Sequence, residues 1–118
     1  MSDTSKKLNC QKVYTLLVHV GRSPEDDLPK RATGAALLCY ASGVDEAEAV
    51  RETAAILKQA ALSPLDVTGY GTREERIAQG HEIDSEEDVL MQRALNENSV
   101  IVAQMNAFYE EQADGSWP

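Results

Sequence analysis

The sequence predicts an α+β domain, a two-layer sandwich of a four-stranded sheet and two main helices. Three observations carry the expectation. Residues 34–72 read as strand, helix, strand; a second capped helical segment begins near Asp84; and strand-like segments open and close the patterned region. The element order is ββαβαβ, and four strands with two helices of this length make a layered α+β unit.

Residues 1–11 are polar and charged and read as a disordered arm. Residues 12–20 form the first strand, because Val, Tyr, Thr and Leu dominate it. Tyr14, Leu16, Val18 and Val20 share one face; Val13, Thr15, Leu17 and His19 share the other. Residues 21–33 are a loop with two prolines and three consecutive acids, Glu25, Asp26 and Asp27. The loop is long for a hairpin, and such loops are either functional or simply solvated. The second strand starts at Gly34. Pairing about the middle of the loop sets Tyr14 opposite Tyr40 and Leu17 opposite Leu37, which keeps like residues together.

The helix over residues 45–61 has the clearest signal. Asp45 and Glu48 have capping-box spacing, and Glu46 and Glu48 suit the positive end of the helix dipole. Ala47, Val50, Ala54, Leu57 and Ala61 fall on one side; Ala49, Thr53, Ile56 and Ala60 widen it. Ser63-Pro64 stops the helix. Residues 65–71 are the third strand, residues 72–83 a charged connection with a short helical turn, and the second helix runs from Asp84 or Ser85 to about Asn96. Residues 99–107 form the last strand; its run Val100-Ile-Val-Ala103 suits a strand covered on both faces. This places one domain at residues 12–109, with a mobile tail at 110–118. The parts count resembles the ferredoxin-like class, whose element order differs.

Charge excludes more than it selects. Twenty acids against eleven Lys and Arg leave a net charge of −9, which repels phosphate backbones and argues against general nucleic-acid binding. The start of the chain lacks an apolar signal core, and the longest apolar run is too short to span a bilayer. A cytoplasmic location follows as the default, with Cys10 and Cys39 as reduced thiols.

No motif names a reaction. Gly69-Tyr-Gly71 follows a strand, but Glu74 stands where a dinucleotide fingerprint needs glycine; a twisted strand end with a bulge is the better reading. His81-Glu82 lacks the second histidine of a zinc protease helix, and position 85 is Ser. His19 and Cys39 stand four residues apart along the ladder, roughly 13 Å at about 3.3 Å per residue, so no metal is expected. No cofactor is expected either. For acid–base chemistry the available set is Tyr70, Arg73, Glu75 and His81, against the reading that this segment is a solvated connection laced with ion pairs.

Two functional readings follow. The first is a non-enzymatic acidic interaction protein, one form being an inhibitor of a basic partner. Glu25, Asp26 and Asp27 with Glu86, Glu87 and Asp88 would face that partner. The second is a small-molecule-binding domain or small enzyme with a cleft near Tyr70 and His81. Two helices on one side of the sheet would also leave the other side apolar. A homodimer built sheet-to-sheet or edge-to-edge, with Leu17, Leu37 and Cys39 at its interface, is therefore expected. The alternative is that the loop at residues 21–33 and the C-terminal tail fold over that side.

Overall fold

The structure is a computed structural model and describes residues 11–23, 25, 26 and 28–109. All but Gln11 of the arm expected at residues 1–11, the tail at 110–118 and Asp27 lie outside the described residues. The elements in order are β1 (Lys12–Gly21), β2 (Ala32–Gly43), α1 (Glu46–Gln59), β3 (Ser63–Thr72), α2 (Arg73–Ala78), α3 (Ser85–Asn96) and β4 (Val100–Tyr109). The α+β class is the one the sequence predicts. Among the described residues the strands form one antiparallel sheet in the order β3-β1-β2-β4.

That order explains the layering. Both β2 and β3 run antiparallel to β1, so they are parallel to each other with β1 between them. Helix α1 makes the crossover from β2 to β3 on one face. The segment carrying α2 and α3 then spans the sheet from one edge to the other on the opposite face. The expectation that both helices share one side is thereby corrected.

Each face has its own core. Under α1, Leu16, Val18, Leu37 and Cys39 meet Ala49 and Leu57, and all six are at most 2 % exposed. On the other face Val13 and Tyr40 meet Met91 and Ala94 of α3. The two sets alternate along β1, as the two-residue period of a strand requires.

The hairpin register differs from the sequence expectation by one residue. Tyr14 lies opposite Ala41, Leu16 opposite Cys39 and Leu17 opposite Leu38. A one-residue slip moves a strand's side chains to the other face. It carries Leu37 and Cys39 beneath α1, whereas half-buried Leu17 lies on the α3 face. Leu17, Leu37 and Cys39 therefore share no open surface, and the interface expected of them is corrected. Burial also raises the Cys39 thiol to about 11.

Local chemistry places the helix starts. Asp45 caps α1 by accepting from Glu48 N at 2.8 Å, and Glu48 Oε1 accepts from Val44 N at 2.8 Å. Thr72 and Glu75 form a reciprocal capping box on α2, and Asp84 caps α3 through Glu87 N. The buried stripe of α1 is Ala49, Thr53 and Leu57 rather than the row through Ala47 and Val50. Small residues are selected because the end of β2 approaches closely. A Cβ on Gly43 would lie 2.9 Å from the Ala49 nitrogen.

Candidate functional site

The most structured surface lies on the face beneath α2 and α3. Arg76, on α2, is its centre. Its Nη1 donates to Thr15 Oγ1 on β1 at 3.2 Å and meets Glu87 Oε1 on α3 at 3.4 Å. Its Nε donates to Nδ1 of His81 at 3.3 Å. One guanidinium thus ties the sheet, the connection and α3 together. Its side chain is only 13 % exposed. Beneath it, Tyr40 is fully buried, and its phenol pKa is raised by burial first and by the Glu87 charge second.

The residues of the acid–base set have mostly local duties. Glu75 Oε1 accepts from Thr72 N at 2.8 Å as half of the α2 cap. Arg73 Nε pairs with Asp88 at 2.8 Å. Tyr70 and His81 do come together: with Thr15, Leu38 and Arg76 they line a cavity of about 170 Å³. Tyr70 is turned there by a bulge. Thr15 pairs with Gly71 and Leu16 with Gly69, so Tyr70 is the extra residue between them. Gly71 has φ +92°, a conformation that favours glycine.

Two larger concavities adjoin the first turns of α3. One of about 250 Å³ has Leu38, Tyr40, Leu90 and Ala103 as its apolar floor and Asp84, Glu86 and Glu87 at its rim. The other, about 370 Å³, is lined by Ser85, Glu86, Val89 and Leu90. Val89 is 64 % exposed. Residues 73–88 hold seven carboxylates (Glu74, Glu75, Glu82, Asp84, Glu86, Glu87 and Asp88) against Arg73 and Arg76. Both arginines are already in ion pairs, and the segment keeps five negative charges, seven minus two.

The acids expected to join them from the first loop do not. Asp26 has no exposed side-chain surface. It takes two hydrogen bonds from Arg22, at 3.0 and 2.9 Å, and one each from Ser23 N and Leu28 N. Arg22 also donates to the carbonyls of Pro29 and Ala32, at 2.7 Å each. The Arg22 guanidinium, ahead of the backbone donors, holds the Asp26 carboxyl below its usual range. Asp26 thus organises the loop. Leu28 beside it enters the α1 core, so the loop sits on the opposite face from Glu86, and exposed Glu25 goes with it. The described loop acids, Glu25 and Asp26, do not form one surface with Glu86, Glu87 and Asp88.

The residues that sequence reasoning missed are Arg76, Val89 and Leu90. Arg76 carries no motif, and only the turn of α2 aims it inward. Val89 looks like an ordinary core position until the helix is oriented. Among the described residues, no three His, Cys, Asp or Glu side chains meet in a way that could hold a metal ion, and no helix is long and apolar enough to cross a membrane.

Searches of curated proteins and of solved structures give no match. The family model for a domain of unknown function, DUF8846, matches residues 13–109, from the first core residue of β1 to the end of β4, and the chain belongs to that family.

Proposed function

We propose that the protein is a small, acidic, cytoplasmic, non-catalytic binding domain that engages a basic protein partner through the first turns of α3. The observation that carries this reading is the pairing of an apolar floor with an acidic rim. Leu38, Tyr40, Leu90 and Ala103 lie beneath Asp84, Glu86 and Glu87. Such a surface suits lysine and arginine side chains, whose aliphatic stems cover apolar area while their charged heads meet carboxylates. The net charge of −9 would speed encounter with a cationic partner. Inhibition of that partner is one form the interaction can take. The small-molecule alternative near Tyr70 and His81 has less support: its cavity is about 170 Å³, below the ~300 Å³ at which ligand sites begin.

The test is binding of a short peptide of alternating lysine and leucine, measured by calorimetry. We expect binding that weakens steeply with salt. Glu86→Lys should weaken it at least about tenfold, the equivalent of ~1.4 kcal/mol. Glu25→Lys, on the opposite face, should leave it within about twofold, ~0.4 kcal/mol by the same relation. Salt-independent binding, or equal effects of the two variants, would contradict the reading.

A further inference from the structure

We propose that β4 pairs with β4 of a second copy about a twofold axis, extending the sheet across a homodimer. This goes beyond the α3 surface and does not depend on it. Among the described residues the sheet ends at two edge strands, β3 and β4, and they differ in kind. The β3 edge is blunted by Pro64, Asp66 and two glycines, whereas register irregularities, two against the neighbouring strand, occur on both edges alike. The β4 edge has none of those charges or prolines. Val100–Tyr109 reads VIVAQMNAFY, ten residues without a single charge in a molecule of net charge −9.

An edge of ten residues is roughly 34 Å long at about 3.4 Å per residue, and its outward N–H and C=O groups are a template for another strand. The uncharged composition argues for a second copy as the occupant. A cationic partner gains nothing from this edge, whereas an equally acidic copy must approach through a strip that adds no repulsion. The side chains are self-complementary as well. Val102 pairs with Cys39 and Met105 with Leu37, so both lie on the α1 face. Ala103, the extra residue at the bulge, allows that spacing. Val102 is 44 % and Met105 48 % exposed. A twofold axis perpendicular to the sheet keeps like faces together and sets Val102 beside Met105 of the partner subunit. Two apolar pairs are then covered by one symmetric contact.

Sedimentation of the full chain tests this. At high salt and micromolar concentration we expect a species of twice 12.9 kDa. Val102→Lys with Met105→Lys should give a monomer with unchanged circular dichroism. Ile56→Lys, an equally exposed site on α1, should remain dimeric. Should the double variant fail to fold, Val102→Cys and Met105→Cys chains are prepared separately in a Cys10→Ser background. Mixed under mild oxidation, they should form an interchain disulfide that neither forms alone. A wild-type chain that stays monomeric throughout, a dimeric double-lysine variant, or no disulfide in the mixture would overturn the proposal.

Discussion

Arg76 and Asp26 show how far a residue's environment decides its role. Both are charged, and both are used internally. Arg76 fastens three elements to one another, and Asp26 collects four hydrogen bonds inside its own loop. Asp26 gives a pH prediction. Its folded pKa lies below the unfolded value of about 3.9, so its stabilising contribution is complete above that value. The contribution is lost as the pH falls through the folded pKa. Asp26→Asn should therefore melt lower than wild type at pH 7, and the gap should close as the pH drops below about 4. Thermal melts at a series of pH values measure it. An unchanged gap across that range would contradict the assignment.

At the scale of elements, two substitutions test how starts and close approaches are built. Asp45→Ala removes the acceptor that holds Glu48 N and should cost about 1 kcal/mol in denaturant unfolding. Gly34→Ala should cost more, about 1–3 kcal/mol, because a Cβ there would lie 2.5 Å from the Val20 carbonyl oxygen. Backbone, unlike a flexible side-chain end, cannot step aside. Much of this level is legible in the sequence, for physical reasons. Caps are local, and Asp45, Thr72 and Asp84 act within three residues of themselves. Strands and their alternation are local too. The hairpin register is not, since the loop of residues 22–31 is stiffened by Arg22 and Asp26 through contacts that composition does not reveal. The rotation of α1 was hidden for a similar reason: half its circumference is weakly apolar, and the approach of Gly43 selects a small residue at Ala49. Tyr70 stands between these cases. Its flanking glycines signal a bulge, but which way the bulge turns it depends on β1.

For the whole molecule, the decisive feature is that a helix covers each face. The greasy residues of β1 and β2 divide between two cores, so neither face of the sheet is left broadly exposed. The strand order β3-β1-β2-β4 produces this, and no local pattern encodes that order. Charge then separates the two surfaces. Asp84, Glu86 and Glu87 border the α3 concavities, and no charge lies on β4, so salt should act on the two surfaces in opposite directions. Raising it should weaken a basic ligand at α3 while favouring association of two acidic copies.

The central claim, that α3 presents an apolar floor with an acidic rim to a basic partner, is tested most directly by amide NMR. The full chain is titrated with the lysine–leucine peptide, and with a glutamate–leucine peptide as control. The account predicts saturable shifts at Leu38, Tyr40, Val89, Leu90 and Ala103 with the basic peptide alone. Shifts spread evenly over the acids of both faces, or equal shifts with the acidic control, would contradict it.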